Sequence, residues 1–279
     1  QLAVTQTEGP MLILAGAGSG KTRTITYKIA HLIDRERCRP EQILAVTFTN
    51  KAAEEMRNRV QGLLTHAPGV PMLCTFHSFG VRVLRQHADR IGYRRDFTIC
   101  DREDQMRVLK TVYEELHFTD KELPVRQTLA SISRAKSQDW GPEEYSRHSK
   151  DFSSEPIGLA YSAYQKFLKQ SNGMDFDDLI LLTVRLLKEN PEVRNGYGEH
   201  YRYLLIDEYQ DTNRPQYELI KHLTQVHQNV TAVGDEDQSI YGFRGADIDN
   251  ILNFEADFPG ATIVKLEQNY RSTQTILDA

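Results

Sequence analysis

A recurring unit in the sequence constrains the fold more than any other feature: a short apolar run, then turn residues, then apolar positions at helical spacing. Such runs cover Met11 to Ala15, Ile43 to Phe48 and Met72 to Phe76, and each leads into a helical pattern. Short runs bounded by turn residues predict strands, and a spacing of three to four residues predicts helices. Repetition of strand, loop and helix is typical of a parallel sheet with helices on both faces. The chain is therefore predicted to be an α/β protein.

This pattern is interrupted between residues 94 and 171, where helical spacing continues without a convincing strand. Residues that break helices divide the stretch at Pro124, at Gly141 and Pro142, and at Pro156. The stretch is therefore predicted to be an all-helical insertion.

The sheet pattern resumes after the insertion with three more β-like runs, at Tyr203 to Ile206, Val230 to Gly234 and Thr262 to Leu266. We therefore expect residues 1–93 and 172–279 to be the two parts of one α/β domain, with residues 94–171 inserted between them. Within the first part, the helical spacing predicts that Phe79, Val83 and Leu84 belong to the core.

Composition and charge argue against two classes of protein. The longest apolar runs, such as Met11 to Ala15 and Leu179 to Leu182, are far shorter than the ~20 residues of a membrane span. A net charge of −5 argues against a protein whose whole surface binds nucleic acid. One group of arginines could form a local basic strip: Arg82, Arg85, Arg90, Arg94 and Arg95. A solvated helix face is the commoner explanation of such a group.

The three cysteines, Cys38, Cys74 and Cys100, suggest neither a disulfide framework nor a zinc site. They are widely separated, and none has a second cysteine or a histidine at the spacing of metal ligands. The first residues also show no secretory leader pattern. We therefore expect a reducing, cytoplasmic setting.

The glycine-rich loop after the first apolar run predicts a phosphate site. Residues Ala15 to Thr22 read A-x-x-x-x-G-K-T, with alanine in place of the usual first glycine. Glycines allow backbone N–H groups to surround phosphate oxygens at the positive end of the next helix. Lys21 would bridge the β- and γ-phosphates, and Thr22 would bind Mg²⁺. A dinucleotide-binding fingerprint beginning at Gly16 would need glycine where Lys21 stands, so that alternative fails.

A nucleoside triphosphate site also needs a carboxylate at the end of a neighbouring strand to hold the metal. The segment YLLIDE supplies Asp207 and Glu208 directly after four apolar residues. Adjacent residues point in different directions, so one acid can hold the metal while the next polarises the attacking water.

Seven blocks, found in the same order, resemble the UvrD/PcrA/Rep-like DNA helicases of superfamily one: AGAGSGKTRT, VTFTNKAAEEM, TFHSF, FDDL, LLIDEYQDTN, VGDEDQSIYGFRGAD and LEQNYRS. The resemblance covers nearly the whole chain and is much more specific than a lone phosphate loop. It implies a RecA-like P-loop NTPase fold with the helical insertion described above.

The resemblance implies an ATP site that uses Mg²⁺. It places Lys21 on the phosphates, Thr22 and Asp207 on Mg²⁺, and Glu208 as the catalytic base. It further implies that Gln238 senses the γ-phosphate and that Arg271 reaches it, while Tyr270 stacks against adenine. The remaining nucleotide contacts that it implies are Ala17, Gly18, Ser19, Gly20 and Arg23.

The resemblance also implies a surface for single-stranded DNA at one edge of the sheet, formed by Phe48, Thr49, Thr75, His77, Tyr241, Phe243 and Arg244. Aromatic rings and an arginine in such loops suit bases of any sequence. In the FDDL block, Asp175 is predicted to cap a helix whose first turn holds Asp177 and Asp178, where the helix dipole favours acidic side chains.

The leading hypothesis is an ATP-dependent 3′-to-5′ DNA helicase or single-stranded DNA translocase. Members of the resembled family continue into a second RecA-like domain, so we expect this chain to be the N-terminal half of a motor. Its expected partners are that domain, single-stranded DNA and junctions of single strands with duplex; no membrane is expected. The alternative is a nucleotide-dependent binding or sensor module without motor activity, for which Glu208, Gln238 and Arg271 would have little use.

Overall fold

The computed structural model describes residues 1–35, 38–64, 69–148, 155–235, 238 and 249–270. Within these ranges a six-stranded sheet has the strand order β3-β2-β6-β7-β1-β8, and every described pairing in it is parallel. This confirms the predicted α/β class. Its strands are β1 (Met11–Ala15), β2 (Ile43–Thr47), β3 (Met72–Thr75), β6 (Tyr203–Ile206), β7 (Val230–Gly234) and β8 (Thr262–Leu266).

All six predicted β runs form strands of this sheet, although β2 and β3 each end one residue earlier than expected. The central strands β2, β6 and β7 are buried along their whole length because neighbouring strands and helices cover them. At the edge of the sheet, β8 alternates between exposed and half-buried residues. The register pairs Leu12 of β1 with Ala232 on one side and Ile263 on the other.

The chain forms two compact units. The first contains Gln1–Ser78, Pro191–Thr212 and Gln216–Ala279, and the second contains Phe79–Asn190 and Asn213–Pro215. The predicted insertion, residues 94–171, lies wholly within the second unit, but its bounds stay a prediction. The helix α4 (Phe76–His87) runs across the boundary in sequence.

The first unit is built on the six-stranded sheet. Apolar side chains of β1, β2 and β6 form its core with those of α2 (Lys21–Asp34) and α3 (Asn50–Leu63). Its helices are α1 (Leu2–Thr5), α2 (Lys21–Asp34), α3 (Asn50–Leu63), α10 (Pro191–His200), most of α11 (Arg214–Thr224), α12 (Asp249–Leu252) and α13 (Phe254–Asp257).

The second unit is mainly helical. A core of apolar side chains from α5, α6 and α8 includes Leu109, Leu129 and Tyr164. The predicted core residues in α4 are all buried: Phe79, Val83 and Leu84. The helices after α4 are α5 (Arg102–Leu116), α6 (Val125–Ser137), α7 (Pro142–His148), α8 (Glu155–Gln170) and α9 (Phe176–Glu189). Within the described ranges, no helix combines the length and apolar character that a bilayer crossing requires.

One detail of the prediction was wrong: the stretch expected to be all-helical contains a strand. This strand, β4 (Thr98–Cys100), pairs in parallel with β5 (Gly173–Asp175), just after the predicted insertion. The pair is only three residues long, so neither strand produces a recognisable alternating pattern in the sequence. Strand β5 ends at Asp175, and this residue is the N-cap of α9, as predicted.

A close contact between α4 and α9 gives a first testable prediction. A Cβ atom added at Gly80 would lie 2.5 Å from the backbone oxygen of Leu179 and 3.1 Å from Thr183 Oγ1. Gly80→Ala should therefore force the two helices apart and lower the free energy of unfolding of the second unit by ~1–3 kcal/mol. Trp140 is the only tryptophan in the chain and lies in this unit, so urea unfolding followed by its fluorescence measures the change.

Gly158→Ala provides the matched control in the same unit. Its added Cβ would meet the hydroxyl oxygen of Ser146 at 2.9 Å, and a hydroxyl at the end of a side chain can rotate away. We expect a much smaller loss of stability. Equal losses for the two variants would contradict the assignment of the Gly80 effect to backbone contact.

Candidate active site

The loop between β1 and α2 has the backbone conformation that its glycines permit. Gly18 and Gly20 have φ values of 77° and 93°, which residues with a Cβ rarely adopt. Ser19 donates a hydrogen bond from Oγ to the carbonyl of Gly16, at 2.7 Å, and so closes the loop on itself. The helix α2 begins directly at Lys21, with its positive N-terminal end at the loop. These features suit an anion held by backbone N–H groups.

The order of the strands brings the loop close to the acidic segment after β6. Strand β7 lies between β1 and β6, and the carboxyl ends of these parallel strands share one edge of the sheet. There Thr22 Oγ1 lies 3.4 Å from Asp207 Oδ2. The two predicted metal-binding side chains are thus adjacent, although 185 positions separate them in sequence.

Burial, and then the negative charge of Glu208, raise the pKa of Asp207 to about 6. A hard divalent cation prefers oxygen ligands such as a carboxylate and a hydroxyl, and it would favour the ionised form of Asp207. Asp207 and Thr22 therefore fit a magnesium ion chemically.

Lys21 lies between two carboxylates. Its Nζ is 3.1 Å from Glu208 Oε2 and 3.6 Å from Asp235 Oδ2. The side chains of Lys21 and Asp235 are largely buried, with 10% and 4% of their surface exposed, whereas that of Glu208 is 37% exposed. Two carboxylates thus contact one ammonium group, and the charge of Lys21 also acts on the nearby carboxylate of Asp207. A divalent cation would balance the excess negative charge.

Glu208 follows β6 in a left-handed backbone conformation, with φ of 52°. This conformation is uncommon for residues other than glycine and is often found at functional sites. It directs the chain into a turn at Tyr209–Asp211. Within that turn, Gln210 Nε2 donates a hydrogen bond to Glu208 Oε2 at 2.8 Å.

The other predicted nucleotide contacts lie around the same loop. Gln238 donates from Nε2 to Asp235 Oδ2, so it stands one hydrogen bond away from the carboxylate beside Lys21. The backbone N–H of Tyr270 donates to the carbonyl of Gly18 at 3.0 Å, and 73% of the residue's surface is exposed. Arg23 contributes to a cavity of about 310 Å³ between α2 and α3 and lies 5.5 Å from the centre of the Tyr27 ring.

The residues predicted to face DNA from β2 and β3 lie at the carboxyl ends of these paired strands. Phe48 is half-buried and packs edge-on against Phe76, with ring centres 5.7 Å apart. Thr49 caps α3 by accepting a hydrogen bond from the N–H of Ala52. Thr75 accepts one from the N–H of Ser78 in the same way.

The other residue of this group, His77, is half-buried, and burial lowers its pKa. The local capping bonds of Thr49 and Thr75 explain their residue types without DNA, so their contact with DNA stays a prediction. Four further predicted site residues lie outside the described part of the chain: Tyr241, Phe243, Arg244 and Arg271.

Two side chains of this site were not assigned from the sequence. Asp235 contacts Lys21, and Gln210 contacts Glu208. Asp235 follows directly after β7, so its position at the end of a parallel strand was a signal that could have identified it. Gln210 lies three residues after Asp207, but spacing alone does not reveal where its amide points.

Known proteins match nearly the whole of this chain. A sequence model of the UvrD/REP helicase N-terminal domain matches residues 1–259. ATP-dependent DNA helicase PcrA of Staphylococcus aureus is 49% identical over 277 residues, which are 99% of this chain and 38% of that protein. PcrA of Staphylococcus epidermidis is 48% identical with the same coverage. The chain thus spans 38% of the length of these curated relatives.

Proposed function

Because the chain belongs to the UvrD/REP helicase N-terminal domain family, we propose that it is the first RecA-like motor domain, with its insertion, of an ATP-dependent DNA helicase. The proposal includes translocation along single-stranded DNA in the 3′-to-5′ direction, as the sequence resemblance implies. The observation that carries it is the pairing of two adjacent loop residues with two adjacent acids at one edge of the sheet: Lys21 contacts Glu208, and Thr22 contacts Asp207. A phosphate loop, a metal-binding carboxylate and a candidate base are the parts that ATP hydrolysis requires.

In this proposal the residues of the chain divide the work of hydrolysis. The N–H groups of Ala17 to Gly20 and the ammonium of Lys21 bind phosphate oxygens, while Thr22 and Asp207 hold Mg²⁺. Bound Mg²⁺ would neutralise charge on the phosphates. Glu208 accepts a proton from the attacking water, and Gln238 and Arg271 respond to the γ-phosphate. Tyr270 stacks against adenine, and Arg23 lies beside the nucleotide.

The DNA-binding part of the proposal rests on Phe48, Thr49, Thr75 and His77, together with Tyr241, Phe243 and Arg244. Base stacking is tolerant of sequence, so the proposed substrate is single-stranded DNA and its junctions with duplex.

Stepping needs a second RecA-like domain that closes on ATP and reopens after hydrolysis. The 279-residue chain alone is therefore expected to bind Mg-ATP weakly and not to unwind DNA. We place the protein in the reducing cytoplasm.

The test is steady-state ATPase activity of the full-length protein with and without single-stranded DNA. We expect DNA to stimulate the wild type, and Lys21→Ala to lower kcat/KM by at least ~10²-fold because the ammonium on the phosphates is lost. Lys110→Ala, which removes an exposed lysine of α5, is the matched control and should behave as the wild type. A wild-type ATPase that ignores excess single-stranded DNA would favour the sensor module over the motor.

A further inference from the structure

Gln210 is a buried amide with both of its ends engaged at the catalytic edge. Only 1% of its surface is exposed. Its Nε2 donates to Glu208 Oε2 at 2.8 Å, and its Oε1 accepts from the backbone N–H of Asp235 at 3.1 Å. A carboxylate can only accept and a backbone N–H can only donate, so these two partners fix which end of the amide points to each.

The two bonds connect the ends of neighbouring strands. Glu208 follows β6, whereas Asp235 follows β7 and begins the segment that leads to Gln238. The backbone is close as well, because a Cβ added at Gly234 would lie 3.0 Å from Gln210 Oε1. Gln210 is therefore held in one orientation by β7 while it contacts the side chain of Glu208.

The same oxygen of Glu208 also accepts from Lys21. Lys21 Nζ and Gln210 Nε2 both contact Oε2, at 3.1 Å and 2.8 Å. Under the proposed function, Lys21 moves onto the phosphates when ATP binds and its bond to Glu208 is lost. The amide of Gln210 then remains as a neutral donor to Oε2 of Glu208. The other carboxylate oxygen of Glu208, its Oε1, is left available to the attacking water.

From this geometry we propose that Gln210 is a positioning residue for Glu208. Its Nε2 holds the carboxylate of Glu208 in the orientation needed for hydrolysis, while its Oε1 accepts a hydrogen bond from the backbone N–H of Asp235. The side chain of Asp235 in turn accepts a hydrogen bond from Gln238. Glu208 itself has the uncommon left-handed backbone conformation, a feature that clusters at functional sites. This inference rests on the proposed function because it assumes that Glu208 is the base.

The test is a double-mutant cycle in the full-length protein with Gln210→Met and Glu208→Gln. Methionine has nearly the volume of glutamine but can make neither hydrogen bond. We expect Gln210→Met to lower the kcat of DNA-stimulated ATP hydrolysis by ~10- to 100-fold, as for a misplaced catalytic group, with KM for ATP and the Kd for ADP within about twofold of wild type. In the Glu208→Gln background the same change should lower kcat no further, because its effect acts through Glu208.

A second readout does not depend on activity. The N–H of Asp235 should exchange with deuterium faster in Gln210→Met, since its acceptor is removed. Asn250→Leu is the control for the loss of a buried amide nearby, because Asn250 Nδ2 bonds to the carbonyl and hydroxyl of Thr212. It should lower the Tm while leaving kcat near the wild-type value.

The outcomes separate this inference from the function on which it rests. The positioning role would be overturned if the losses of kcat in Gln210→Met and Glu208→Gln multiply in the double variant. It would also be overturned if Gln210→Met lowers nucleotide affinity as much as it lowers kcat. A wild-type protein without DNA-stimulated ATPase activity would instead overturn the proposed function.

Discussion

Glu208→Gln is expected to lower the kcat of ATP hydrolysis by ~10²–10⁴-fold in the full-length protein. Glutamine keeps the size of the side chain but cannot take a proton from the attacking water. The carboxylate stands at the edge of the sheet, 3.1 Å from the Lys21 ammonium and with more than a third of its surface exposed. Water can therefore reach it, as a general base requires.

Nucleotide binding should respond differently from hydrolysis. In the structure Glu208 holds the ammonium of Lys21, and glutamine would hold it less strongly. Lys21 would then be released to phosphate more easily, so we expect ATP affinity in Glu208→Gln to equal or exceed that of the wild type. Steady-state ATPase measurements and binding of a fluorescent ATP analogue measure the two effects separately.

Glu114→Gln is the control for loss of an acidic side chain, since Glu114 is exposed on α5. It should leave both kcat and affinity unchanged. Retention of more than about a tenth of the wild-type kcat by Glu208→Gln would remove Glu208 from the role of base, because general-base catalysis contributes more than that.

The features that sequence reasoning predicted well depend on local patterns. Strands β1, β6, β7 and β8 have the predicted bounds because each apolar run ends at a glycine or at an acidic residue. The phosphate loop was recognisable because residues with a Cβ rarely adopt the φ of positions such as Gly20, which favours glycine there. The proximity of Thr22 and Asp207 followed from a general property of parallel sheets, whose strand ends share an edge.

The contacts that the sequence did not predict depend on the order of the strands or on the packing of helices. Asp235 reaches Lys21 because β7 lies between β1 and β6, an order that no local pattern encodes. The same order brings Gln210 to the backbone of Asp235. Asp178 was predicted only as an acidic residue in the first turn of α9, whereas it is buried against Lys136 from α6. Pairs so distant in sequence arise from packing, not from periodicity.

The ion cluster around Lys136 leads to the largest stability effect that we expect. Lys136 Nζ lies 2.7 Å from both Asp175 Oδ2 and Asp178 Oδ1, and all three side chains are at most 4% exposed. Tyr164 also donates to Asp175, and Gln165 donates to Asp178. The cluster joins α6 to the start of α9 within the second unit.

Lys136→Met should lower the free energy of unfolding of the second unit by ~3–5 kcal/mol at neutral pH, since it leaves two carboxylates buried without their cation. Urea unfolding followed by Trp140 fluorescence measures this loss. Lys166→Met, at an exposed position of α8, is the control for the gain of a methionine and should change stability little. A similarly small change for Lys136→Met would mean that the ammonium of Lys136 does not stabilise the two buried carboxylates.

The loss should also depend on pH in a direction that the cluster determines. Burial opposes ionisation of Asp175, but the charge and hydrogen bond of Lys136 outweigh it and lower the pKa of that carboxyl. Burial and the charge of Asp175 raise the pKa of Asp178 to about 6. Without Lys136, both carboxyls would have folded-state pKa values above their unfolded values.

A carboxyl with a raised folded-state pKa stabilises the fold below its unfolded pKa, and this contribution is lost as the pH rises through the folded value. The difference in unfolding free energy between wild type and Lys136→Met should therefore be smaller at pH 5 than at pH 8. A difference that stays constant over this range would show that the variant loses packing around the lysine stem, not the neutralisation of Asp175 and Asp178.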